Sequence, residues 1–221
     1  GDLLSSLIMA RDEHTGAAMG DEQLRSQILT LMLAGYETTA SALTWTWYLI
    51  SQNPAAANRM YAELDQVLAG RCPRFEDLTS LPYTAAVFAE GLRLYPPAWA
   101  IGRKALEDID VQGTHIPQGC VVLLSPYVTQ RDPRWFAQPE LFQPERWLTP
   151  DDQRPKFAYF PFGGGTRVCI GERFAQAEGL LLLAVLAQRW RFSTVPGHPV
   201  QHHAQLTLRA RHGIRMHLSA R

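Results

Sequence analysis

The spacing of apolar side chains divides the chain into a helical half, an irregular stretch, and a last helix followed by strand-like segments. Residues 1–13 read as the end of an amphipathic helix, and Gly16 and Gly20 mark a polar loop behind it. Asp21 caps a helix that runs to about Gln52, with Leu24, Ile28, Leu31 and Met32 at the helical period. At 1.5 Å per residue such a helix is about 48 Å long, the width of a domain. It is apolar nearly all round from Ile28 to Leu33 and from Leu43 to Ile50, so it is expected to cross the core. Asn53-Pro54 opens a helix to about Ala69. Another spans Pro82 to Leu94 and is stopped by Tyr95-Pro96-Pro97. The period then changes. Ile109-Asp110-Val111, Thr114-His115-Ile116 and Cys120 to Leu124 predict short strands around a Pro117-Gln118-Gly119 turn. A strongly apolar helix is predicted over 171–190. In the tail, 191–221, Gln205 to Arg209 and Ile214 to Leu218 alternate like edge strands. The fold class is mainly α with small β-sheets (α+β), in one domain.

Residues 131–170 fit no period. They hold six prolines, at 133, 139, 144, 150, 155 and 161. A coil this long inside a domain is uncommon and usually functional. It also carries Trp135, Phe136, Phe142, Trp147, Phe157, Tyr159, Phe160 and Phe162, which a disordered linker would not. The coil is therefore expected to pack against the domain.

Composition narrows the function. With 46% apolar and 10% aromatic residues a real core can form. Twenty-one basic and 21 acidic side chains leave no net charge, so nucleic acid is not an expected partner. Three cysteines cannot make a disulfide scaffold, which points to a reducing, cytoplasmic setting. The longest apolar run, Leu180 to Ala187, falls short of the roughly 18 residues a membrane span needs. No signal peptide opens the chain. It starts without Met, and helix-like from Gly1, so it reads as N-terminally truncated, with any anchor out of view.

The most specific chemical signal is Phe162-Gly163-Gly164-Gly165-Thr166-Arg167-Val168-Cys169-Ile170-Gly171. A glycine-rich loop delivers a cysteine just before a helix start. Outward-pointing N–H groups and the helix dipole there favour negative charge on sulfur, and Arg167 adds to the effect. Glycines let the backbone curl around the sulfur and let a flat ligand approach. The residues alone also allow a structural cysteine. A phosphate loop lacks its G-K-[ST] or G-x-G-x-x-G spacing. The string resembles the heme-binding loop of the cytochrome P-450 family, F-x-x-G-x-R-x-C-x-G, at every fixed position. The resemblance implies the C-terminal part of that fold, from the central helix onward. It makes Cys169 the axial ligand of heme b (iron protoporphyrin IX), seats Phe162, Gly163 and Gly171 around the sulfur side, and pairs Arg167 with a propionate.

Three other segments agree in order and spacing. Ala34-Gly35-Tyr36-Glu37-Thr38-Thr39 places a glycine, an acid and hydroxyls inside an apolar helix, where they need partners or a function. By itself it also fits a kinked core helix. It resembles the family's A-G-x-[DE]-T segment, which implies proton delivery through Thr38 and Glu37 during dioxygen activation. Glu90-Gly91-Leu92-Arg93 puts an acid and a base on neighbouring helix positions, as in many surface pairs. It is similar to the family's E-x-x-R helix. Pro144-Glu145-Arg146-Trp147 is similar to P-E-R-F, with Trp for Phe. The family then implies a buried charge cluster of Glu90, Arg93 and Arg146. Arg103 falls where a second propionate-binding arginine belongs. Tyr36, Ala98, Trp99, Ala100, Ile101 and Leu206 fall where the substrate pocket is lined.

The implied function is monooxygenation of a hydrophobic small molecule by O2, with electrons from a ferredoxin or flavin reductase. The alternative is a truncated, inactive heme-associating fragment. Three histidines, His198, His202 and His203, share a Gly/Pro loop and read as solvated rather than metal-binding.

Overall fold

The computed structural model describes residues 2–149 and 153–221. Pro150 of the proline-rich coil and Gly1 lie outside them. The chain forms two compact units, Gly1–Thr38 and Thr39–Arg221.

The first unit contains helix α1 (Leu3–Met9), shorter than the expected 1–13. Asp2 caps it by accepting from the Ser5 N–H at 2.8 Å. A turn over 12–17 follows, where the Asp12 side chain accepts from the backbone N–H groups of His14 and Thr15. Helix α2 (Asp21–Gln52) begins in this unit and is unbroken at Gly35. Its side chains become buried only from Thr39 onward. Leu29, Met32, Leu33 and Tyr36 are exposed, so burial along the whole helix does not hold for its first half.

The second unit is built on four helices: the rest of α2, α3 (Pro54–Leu68), α4 (Pro82–Leu94) and the C-terminal α6 (Glu172–Ala187). A short α5 (Pro126–Thr129) precedes the long coil. Leu49 and Ile50, Met60 and Leu64, Val87 and Phe88, and Leu183 and Ala184 interleave in one core. Gly91 permits the approach of α4 to α2. A Cβ there would lie 2.3 Å from Thr46 Oγ1 on a fully buried side chain. The same device recurs on α6, where a Cβ on Gly179 would meet the Phe88 ring at 2.4 Å.

The described strands pair two by two, all antiparallel: β1 (Ile101–Lys104) with β4 (Val121–Leu124), β2 (Ile109–Val111) with β3 (Thr114–Ile116), β5 (Trp190–Thr194) with β8 (Met216–Ala220), and β6 (His202–Ala204) with β7 (Leu208–Ala210). Several expectations change. The β2–β3 hairpin turns at Gln112-Gly113, both at positive φ, a two-residue turn that matches strand twist. Pro117-Gln118-Gly119 instead leads into β4, whose partner β1 lay unnoticed because Gly102 and two cations break its apolar pattern. The last helix ends at Ala187, not Trp190, and β5 begins directly behind it. The tail strands shift from 205–209 and 214–218 to β7 and β8, and β6 is added.

The described residues of coil 131–170 form short 3₁₀ turns at Pro144–Trp147, Lys156–Ala158 and Gly165–Arg167. The coil is also anchored by Phe136, which is fully buried, and Phe142, which joins the core.

Candidate active site

The Cys169 loop leaves the coil at Phe160 and ends at Gly171, the cap of α6. Gly163 at φ +75 lies in the left-handed region, which glycine adopts without strain. It carries the chain around so that the Cys169 N–H donates to Phe162 O at 2.9 Å. Gly163 N donates to Phe160 O, and Glu172 N to Cys169 O, at 2.9 and 3.3 Å. The loop backbone is thus tied at both ends while the thiol stays exposed. Phe162 packs on the core. Val168, Ile170 and Phe174 stand in solvent, Ile170 at 94% exposure. The thiol and these apolar side chains are open to a ligand. No cluster of three or more His, Cys, Asp or Glu suited to a metal occurs among the described residues, and the three tail histidines form none. A lone cysteine donor fits a metal carried within a planar macrocycle, which supplies the remaining ligands itself. Arg103 on β1 and Arg167 in the loop's 3₁₀ turn are exposed and cationic, suited to anionic edges of such a group.

Behind the loop lies the charge cluster. Arg93 and Glu90, both fully buried, form a bidentate pair: Nε to Oε2 and Nη2 to Oε1, each 2.8 Å. The remaining Arg93 donors go to the carbonyls of Gln130, Pro139 and Leu141, so all five are used. Arg146 Nε reaches Glu90 Oε1 at 3.0 Å. Burial pulls the Arg146 guanidinium below the ordinary arginine range, and Glu90 works against that shift. Two partners of Glu90 were not foreseen. Gln143 donates its backbone N–H to Oε1, and the Trp147 indole N–H donates to Oε2 at 2.8 Å. Trp for Phe in the motif is therefore not merely a conservative aromatic exchange, because phenylalanine has no N–H to offer.

The expected pocket segments also meet within the second unit. Trp99 Nε1 donates to Gln205 O at 2.8 Å, and Leu208 N to Pro97 O at 2.9 Å. Ile101 approaches the Cys169 loop, its Cδ1 3.5 Å from where a Gly163 Cβ would sit. Ala98, Trp99, Ala100 and Ile101 are half-buried, and Leu206 is 90% exposed. In the first unit Tyr36 is exposed, and Glu37 and Thr38 are half-buried. The Thr38 hydroxyl donates to Ala34 O at 2.6 Å, as threonines do inside helices.

The sequence model of the cytochrome P450 family matches residues 1–214. The chain belongs to the cytochrome P450 family. It is 47% identical to cyclooctatin synthase of Streptomyces melanosporofaciens over 95% of this chain and 46% of that protein. It is 39% identical to pentalenene oxygenase of Streptomyces avermitilis over the whole chain and 49% of the relative. The solved structure of cyanobacterial CYP120A1 with bound retinoic acid matches with a TM-score of 0.94 at 34% identity, over 99% of this chain and 51% of that one. The chain thus spans about half the length of the relatives it matches. P450 proteins are heme proteins, in keeping with the single-cysteine donor set. No helix among the described residues is long and apolar enough to cross a membrane.

Proposed function

We propose that the protein containing these residues is a heme-dependent monooxygenase that places one oxygen atom from O2 into a hydrophobic organic substrate, with electrons from a separate ferredoxin or flavin reductase. The observation that carries this reading is the exposed Cys169 thiol on a loop whose own backbone is pinned at Phe162 O and at the start of α6. Heme b, bound there, would supply dioxygen binding and activation, with the two electrons coming from the reductase.

The chain's residues take up the rest. Cys169 would be the residue that holds the iron, and Phe162, Gly163 and Gly171 shape the backbone that presents its sulfur. Arg103 and Arg167 hold the propionates by charge-assisted hydrogen bonds. Glu37 passes protons inward. Thr38, whose own proton is committed to Ala34 O, accepts and orders them through its oxygen lone pairs. Ala98, Trp99, Ala100, Ile101 and Leu206, all in the second unit, line the pocket wall. The name of the relative that acts as pentalenene oxygenase suggests a similarly hydrocarbon-rich substrate. Three free cysteines suit a cytoplasmic setting.

Reduction of the full-length protein under carbon monoxide is expected to give the red-shifted Soret band of thiolate ligation, and Cys169→His to abolish it. Thr38→Ala should divert electrons from product to reduced oxygen species. A band unaffected by Cys169→His overturns the ligand assignment, and full coupling in Thr38→Ala overturns the proton role.

A further inference from the structure

We propose that Gln130 is a positioning residue that couples the Glu90–Arg93–Arg146 cluster to the loop carrying Cys169. Its side chain is fully buried, although it stands among polar neighbours in the sequence. Its Nε2 donates to Leu92 O and Arg93 O, at 3.1 and 3.0 Å. These carbonyls end α4, where the helix offers no further donors and Pro96 and Pro97 have none. The other side-chain atom, Oε1, accepts the Phe160 N–H at 3.0 Å. The Gln130 carbonyl in turn takes one of the Arg93 donors. A continuous series of bonds results: Arg93 to Gln130, Gln130 to Phe160, Phe160 to Gly163, and around the turn to Phe162 and Cys169. One residue earlier, the Tyr159 hydroxyl donates to Ala89 O at 3.2 Å, so the stretch entering the loop is held to α4 twice.

A buried amide with every polar atom engaged is costly to disturb, because its loss leaves two carbonyls and one N–H without partners. The physical role follows. Gln130 converts the fixed end of α4 into a fixed starting point for the loop, and so sets where the sulfur stands. The effect on ligation rests on the heme-thiolate reading. The effect on the loop backbone does not.

The test uses the full-length protein, amide hydrogen exchange and the ferrous carbon monoxide spectrum. Gln130→Met keeps the side chain's length and removes its hydrogen bonds. Phenyllactic acid in place of Phe160 removes only the N–H that Gln130 accepts, which keeps the test alive if the methionine variant does not fold. Both are expected to speed exchange over residues 160–171 about tenfold relative to β5. Both should also move part of the adduct out of the red-shifted band. Unchanged exchange over 160–171, or a rise shared equally by β5 and β8, overturns the proposal. Should the unaltered protein show no red-shifted band, the heme-thiolate reading fails, and the exchange result still decides the role of Gln130.

Discussion

The surroundings of Glu90 and those of Cys169 treat polar and apolar groups in opposite ways. Around Glu90, charged side chains are taken out of water and each donor of Arg93 finds an acceptor. Around Cys169, a thiol and its neighbours Val168, Ile170 and Phe174 are left in water. The first arrangement is complete within the chain, and removing Glu90 or Arg93 leaves a buried charge without its main partner. The second is incomplete by itself, and an exposed apolar patch with a soft donor at its centre is kept for something that binds. On the proposed reading, stability rests chiefly on the first stretch and heme binding on the second, with Gln130 bonded to both.

That separation breaks if both functions fail together at either place. The largest effect is expected from Cys169→Ser, which should eliminate the thiolate Soret band outright. With heme removed from both proteins, its unfolding free energy in urea should differ by no more than an exposed substitution causes, roughly 0.5 kcal/mol. Glu90→Ala should show the converse. It leaves Arg93 and Arg146 buried without their carboxylate and costs about 3–5 kcal/mol in urea unfolding, with at most a minor part of the folded protein's carbon monoxide adduct leaving the red-shifted band. Trp147→Phe sharpens the picture, since it removes a single N–H from a buried carboxylate. About 1.5–3 kcal/mol is expected, and a neutral result would return Trp147 to the role of simple filler. Gly91→Ala pushes a methyl toward Thr46 Oγ1 and should cost roughly 1–3 kcal/mol, again without altering the spectrum.

The smallest effect is expected at Asp77, in the 3₁₀ turn Phe75–Ser80 that precedes α4. The paired Arg71 donors and the Arg74 N–H hold its carboxyl at about 2, down from 3.8. A lowered carboxyl favours the folded state above the unfolded value, and that contribution is lost as pH falls through about 2. Asp77→Asn should therefore lower the urea midpoint slightly near neutrality and flatten its fall in acid, so that the two proteins converge as pH drops toward about 2.

Much of this was legible in the residues. Helices α2, α3 and α4 could be placed because a 3.6-residue period and a proline or cap are local properties, set by neighbours along the chain. The cysteine loop and the E-x-x-R and P-E-R-W segments could be found because their residue types are unusual in combination. Strand β5 could not. Its pattern, Trp190-Arg191-Phe192-Ser193-Thr194, continues from an apolar helix without a break, and its partner β8 lies at the far end of the tail. Nothing local says that these two will meet.

The sequence by itself determined where the helices run, which cysteine stands at a helix start, and which family the motifs belong to. Only the tertiary structure decided that Trp147 would give its N–H to Glu90 and that Gln130 would bridge the end of α4 to Phe160. The physical reason is one of range. Backbone preference and apolar periodicity act over a few residues, whereas a buried donor takes whichever acceptor the packing of distant segments brings within about 3 Å.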